Sequence, residues 1–153
     1  MLNECLTALQ DELKEIAGFK QVLGPEVVHG DIRSNAPVYI DVAPKDLPAI
    51  VTNIKYGQIK RVGGRYEYHF RGDILVCVFD ASLNVGTSNL FEKTFGENGV
   101  YKTLINTPVT VSNTVLRKYV EEAYPRDFNE EEDRDYYLCE VIPVKLELWL
   151  PVT

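Results

Sequence analysis

Residues 49–79 read AIVTNIKYGQIKRV-GG-RYEYHFRGDILVCVF, two β-prone runs, Ala49–Val62 and Arg65–Phe79, joined by Gly63 and Gly64. β-Branched and aromatic residues suit a pleated surface, and paired glycines suit the tight turn of a hairpin. In the second run Ile74, Val76 and Val78 face one way, while Leu75, Cys77 and Phe79 face the other. A strand apolar on both faces is expected at the centre of a sheet covered on both sides. In the first run Ile50, Thr52, Ile54 and Tyr56 alternate with Val51, Asn53 and Lys55. Each arm would span roughly 45 Å at about 3.3 Å per residue, far beyond a usual strand of ~5–6 residues. The half near the turn is therefore expected to lean on something. It either bends over its own core, with Gly57 and Gly72 as bulge candidates, or meets a partner.

That outer half is basic. Lys55, Lys60, Arg61, Arg65 and Arg71, less Glu67, give +4 over residues 55 to 71, interleaved with Tyr56, Tyr66, Tyr68 and Phe70. Its counterweight lies at 121 to 135. There Glu121, Glu122, Asp127, Glu130, Glu131, Glu132, Asp133 and Asp135 outweigh Arg126 and Arg134, for −6. The 153-residue chain carries −7 in total, so everything outside 121 to 135 sums to −1. An acidic balance gives no support to nucleic-acid binding, where a basic surface supplies most of the affinity. The length and a hydrophobic fraction of 45% suit one globular domain, 1–153.

The flanking segments complete the pattern. Leu2, Leu6, Leu9, Leu13 and Ile16 form a helical stripe, with Asn3 as cap and Gly18 as stop. Residues 24 to 48 carry half of the eight prolines, which leaves room only for a short edge strand at Val38–Val42. After a loop at Asn84–Ser88, a second helix is expected from Thr87 or Ser88. Gly96 and Gly99 interrupt it, and Val100, Tyr101, Leu104 and Ile105 extend its face. Pro108–Val120 returns to strand character, Tyr124–Pro125 reads as a turn, and Tyr136–Leu150 closes the chain as a strand. In that strand Leu138, Ile142, Val144, Leu146, Leu148 and Leu150 share a face opposite Lys145, Glu147 and Trp149, and Pro143 marks a bulge or an edge. The order predicts an α+β fold. A single mainly antiparallel sheet with a long β-hairpin packs against an N-terminal helix and a second central helix.

Catalytic signatures are missing. There is no phosphate-binding GxxxxGK[ST], no GxGxxG after a strand, no GxSxG and no HExxH. Cys5, Cys77 and Cys139 have no zinc-ligand spacing and read as buried small hydrophobes in a protein made in a reducing cytoplasm. His29 and His69 read as surface or packing residues, and carboxylate pairs such as Asp133 and Asp135 as solvated. No cofactor or metal site is expected. No apolar stretch nears the roughly 20 residues of a membrane span, and the acidic amphipathic start resembles no signal or transit peptide.

This order of elements resembles the tail terminator (tail-completion) proteins of tailed bacteriophages. The resemblance rests on the leading helix Leu2–Ile16, the Pro-rich stretch Pro37–Pro48, the hairpin Ala49–Phe79, the helix after Asn84 and the closing Lys145-Leu146-Glu147-Leu148-Trp149-Leu150. It is a pattern of elements over nearly the whole chain, and the acidic stretch 127–135 is longer than a plain β-turn. It implies a structural, non-enzymatic virion protein, synthesised in the bacterial host cytoplasm. Such a protein forms a ring, typically a hexamer, that caps the tail tube and faces the head-side connector or neck protein. DNA would pass through the lumen without specific binding. In such a ring the hairpin 55–71 of one subunit would meet 121–135 of the next, or the tube protein, with complementary charge setting register more than affinity. The alternatives are another neck or tail protein, such as a head-completion or tube protein, and a small enzyme or ligand-binding domain built on scattered acids.

Overall fold

A computed structural model describes residues 1–80, 82–126 and 137–152. The element order is α1 (Leu2–Leu13), β1 (Gln21–Leu23), β2 (Val28–His29), β3 (Tyr39–Ile40), β4 (Ala49–Val62), β5 (Arg65–Phe79), α2 (Leu83–Phe95), α3 (Val100–Asn106), β6 (Thr110–Val111), β7 (Thr114–Val115), β8 (Arg117–Val120), β9 (Tyr124–Pro125) and β10 (Tyr137–Pro151). The fold is α+β. The main sheet runs β1-β4-β5-β10-β8, with β9 also on β10, and among the described residues only the β1–β4 pair is parallel.

The hairpin β4–β5 forms with the expected bounds and turn. It is neither bent over its own core nor free. Every residue of β5 faces a residue of β10, from Phe79 opposite Tyr137 to Arg65 opposite Pro151. The last strand is what the outer half leans on.

The irregularity in the hairpin is at neither glycine proposed for it. The register shifts between Ile54 and Tyr56, so Lys55 is the extra residue. One added residue reverses side-chain parity. Tyr56 therefore leaves the face of Ile50 and Ile54 and joins Arg71 on the other side of the sheet, contrary to the simple alternation. Gly72 is required opposite the bulge, since a Cβ there would lie 2.2 Å from the Asn53 carbonyl oxygen and 2.6 Å from the Ile54 Cα.

One face of the sheet carries the helices. Leu6, Leu9 and Leu13 of α1, Leu90 of α2 and Leu104 of α3 pack with Ile50, Ile74, Val76, Ile142 and Leu146. At roughly 1.5–3 kcal/mol per buried large aliphatic side chain, this cluster is a dominant source of stability. α1 stops at Leu13 and not at Ile16, because the Glu15 and Ile16 amides donate to the Glu12 and Leu13 carbonyls in tighter turns. Its N-cap is Met1, without a side-chain cap, so Asn3 does not serve. α2 begins at Leu83, earlier than expected, with the Ser82 hydroxyl accepting from the Val85 amide. Asn84–Ser88, expected to be a loop, is the first part of this helix and includes Gly86. A Cβ at that position would lie 3.1 Å from Leu138, and its absence lets the helix approach β10.

The Pro-rich segment covers the other face, but only its inner half. Val28, Ile32, Val38, Ile40 and Val42 pack on Leu75, Cys77, Cys139 and Val141. The expected strand at 38–42 shortens to Tyr39–Ile40 and pairs with β2 in a small separate sheet. Pro108–Val120 is no single strand. Ser112 and Asn113, at φ 51° and 60°, turn the chain into the β6–β7 hairpin before β8.

Tyr124–Pro125 is a short strand on β10, not a turn. Pro143 causes neither bulge nor edge, because the β5–β10 register is unbroken through it. Its carbonyl accepts from the Glu121 amide, so its donor-less nitrogen faces the same way, toward the break between β8 and β9. Among the described residues no helix is long and apolar enough to cross a membrane.

Gly72→Ala is expected to cost about 1–3 kcal/mol by overpacking against the opposite backbone. Gly64→Ala, whose Cβ would meet nothing within 4 Å, should stay within about 0.5 kcal/mol. Urea midpoints of the two variants check the pair.

Candidate functional site

Beyond Asp73 and Pro143 the second face of the sheet loses its cover, and the sequence changes character at that boundary. Leu75 and Cys77 give way along β5 to Arg71, His69, Glu67 and Arg65. Two contacts pin the rim of the cover. Arg33 Nη2 lies 3.7 Å from the Asp73 carboxylate, and Lys55 Nζ donates to the Val28 carbonyl at 3.0 Å. Burial raises the Asp73 carboxyl above its ordinary value, and Arg33 opposes the shift.

Directly opposite residues in an antiparallel sheet share a face, so the register places this surface in rows. Tyr56, Arg71, Lys145 and Tyr119 form one row. Gln58, His69, Glu147 and Arg117 form the next, and Lys60, Glu67 and Trp149 a third. A groove of about 640 Å³ lies across them. Among the described residues the rows carry five bases, Lys60, Arg65, Arg71, Arg117 and Lys145, against two acids, Glu67 and Glu147, with His69 between, and Lys145 also lies 3.7 Å from the Glu121 carboxylate.

The acids and the histidine form one network. Arg65 donates to Glu67 Oε2 through Nε at 2.8 Å, with Nη2 at 2.6 Å. His69 Nε2 lies 3.0 Å from Glu67 Oε1, and Nδ1 lies 2.9 Å from Glu147 Oε1. Carboxylates only accept, so the ring satisfies both partners when both nitrogens carry protons. The hydrogen bond from Arg65 holds the Glu67 carboxyl below its ordinary value, helped by His69 and opposed by desolvation. Two guanidiniums lie over the Trp149 ring, Arg65 Cζ at 3.8 Å and Arg117 Cζ at 3.5 Å from its centroid. Each such contact contributes about 0.5–2 kcal/mol, depending on desolvation.

Glu67, His69 and Glu147 also offer ligand atoms within 4.8 Å of one another. As arranged they suit a metal ion poorly. The carboxylates sit on different ring nitrogens, and the Arg65 guanidinium already neutralises Glu67. The set is better described as a polar clamp in which His69 joins β5 to β10 through Glu147.

The residues singled out from sequence divide. Lys60, Arg65 and Arg71 share the open face, but Arg65 is held by Glu67 and Trp149. Arg61 pairs across from Tyr66 and points to the helix side. Lys55 is the bulge residue and is tied to Val28. Glu130, Glu131, Glu132 and Asp133 lie outside the described residues. Arg126, counted with the acidic segment, instead donates to the carbonyls of Ile32, Ser34 and Ala36. Sequence reasoning missed Arg117, Lys145 and Glu147 as members of this surface. The alternation of β10 showed which side Lys145 and Glu147 take, but not that β5 lies beside them.

No protein-family model matches the chain, and no curated protein sequence matches it.

With its folded value depressed, Glu67 contributes stability that is complete above the ordinary glutamate value of 4.5 and is lost as pH falls through the lower folded value. The stability gap between the protein and Glu67→Gln should therefore be widest near pH ~6 and narrow toward pH ~3. Denaturation midpoints across that range test this, and a gap that does not change with pH contradicts it.

Proposed function

We propose that the chain is a structural virion protein of a tailed bacteriophage, a tail terminator whose ring ends tube elongation and joins the tail to the head-side connector. The observation that carries the ring is the outer edge of β4. β1 pairs with β4 only at Ala49–Val51, and from Tyr56 to Val62 the far side of β4 has no strand partner among the described residues. Tyr56, Ile59 and Val62 are exposed along it, at 56%, 54% and 44%. Unpaired strand edges of this length are templates for another chain. A head-to-tail contact between identical copies that closes on itself gives a ring.

The open charged face adds direction. Arg71 and Lys145 sit directly opposite each other, an unfavourable like-charge pair that Glu121 of the same chain relieves from the Lys145 side at 3.7 Å and that an approaching acidic surface would relieve further. The segment 121–135 of a neighbouring copy has that character in sequence. The phage assignment itself rests on the order of elements. A head-completion or tube protein shares the same physical support and is the second reading.

Electron microscopy of the purified protein, alone and with tail tubes, tests the proposal. A ring with a central hole is expected, and particles that stay monomeric in both conditions overturn it. Lys60→Glu with Arg61→Glu should reduce assembly several-fold and flatten its dependence on salt. Unchanged assembly with unchanged salt dependence contradicts the edge as the contact.

A further inference from the structure

We propose that Cys77 and Cys139 are a redox modification site, two thiols placed to close into a cross-strand disulfide that staples β10 to β5. The two residues lie directly opposite each other in the antiparallel ladder, with their sulfurs 3.0 Å apart. That is closer than two unbonded sulfurs ordinarily approach, and a bond needs a further closure of about 1 Å, to ~2.05 Å.

The kind of ladder position matters. An opposite pair is either hydrogen-bonded, with Cα atoms about 5.5 Å apart, or non-hydrogen-bonded, at about 4.5 Å with side chains closer. The Cys139 carbonyl accepts from the Arg126 amide, on the side of β10 away from β5. Its backbone groups therefore do not bond Cys77, and the pair is of the closer kind. The separation typical of such pairs falls within the range a disulfide tolerates, ~4.4–6.8 Å. Closing the bond sacrifices no ladder hydrogen bond at that position.

Both side chains are buried under the Pro-rich segment, at 0% and 2% exposure, and burial pushes the Cys139 thiol upward. An oxidant thus reaches them through opening at the nearby strand end, where Phe79 is 40% exposed opposite Tyr137. The co-reactant is a low-molecular-weight disulfide. One thiol loses its proton and attacks that disulfide, releasing one small thiol and leaving a mixed disulfide. The second protein thiol loses its proton and attacks the mixed disulfide, releasing the second small thiol. The protein gives up two electrons and two protons, and the reagent takes up both. The bridge closes a loop between positions 62 apart in sequence. Constraining the unfolded chain in this way should raise the thermal midpoint. Cys5 is an internal control. It is buried on the opposite face of the sheet among the helix residues, and burial pushes its thiol up to about 11.

The test is incubation of the reduced, folded protein with excess oxidised glutathione, followed by alkylation in denaturant and mass spectrometry. Expected are a mass lower by about 2 Da before alkylation, one remaining alkylatable thiol at Cys5, and linked peptides carrying Cys77 and Cys139. A higher thermal midpoint should accompany them. Cys77→Ala or Cys139→Ala should abolish the linkage and the shift, while Cys5→Ala should leave both. Three alkylatable thiols, a persistent mixed disulfide with glutathione, or a linkage through Cys5 overturns the proposal on the unmodified sequence alone, whether or not a variant folds.

Discussion

Each residue from Arg65 to Phe79 has its counterpart in the last strand, and β4 flanks β5 on the other side from Arg65 as far as Cys77. An isolated two-stranded hairpin is at best marginal in water, and three strands with one apolar face are the usual minimum for stability. β10 supplies the third strand. It also brings Val144, Leu146 and Leu148 under the helix side, where they are almost completely buried. The outer hairpin is thereby a rigid extension of the core sheet, and among the described residues the far edge of β4 is its side left open to another strand.

That rigidity makes the open face a defined surface. The inner half of the sheet is apolar on both sides and covered on both. The outer half keeps its apolar helix side and turns charged on the other, beginning where Asp73 meets Arg33. The bulge at Lys55 sharpens the contrast by moving Tyr56 onto the charged face. Charges there are organised across strands, with His69 between acids of β5 and β10, and Trp149 of β10 beneath arginines of β5 and β8. The clamp holds the strands together. Lys60 and Arg71 stay on the open side for whatever approaches, while Lys145 also pairs with Glu121 of the same chain.

Local signals in the sequence were enough for the hairpin, its glycine turn, the stripe of α1 and the two faces of β5 and β10, because each has a strong period of its own. What was not legible depended on neighbours. Lys55 becomes a bulge because Gly72 lies across from it. Pro143 sits in an interior strand because the partner on its donor-less side is interrupted between Val120 and Tyr124. Ser112 and Asn113 break an apparent strand by adopting positive φ. The surface suffered most. A +4 hairpin in sequence becomes a mixed lattice once β10 and β8 contribute Lys145, Glu147 and Arg117, and Arg61 leaves for the other side.

Hydrogen exchange in the purified protein tests the pairing most directly. Ladder geometry aims the amides of Tyr66, Tyr68 and Phe70 at β10, as it does those of Ile74 and Val76. The account predicts that all five exchange only through global unfolding, at comparable rates. Rapid exchange at Tyr66, Tyr68 and Phe70 with slow exchange at Ile74 and Val76 would show an outer hairpin that frays independently, and would contradict it.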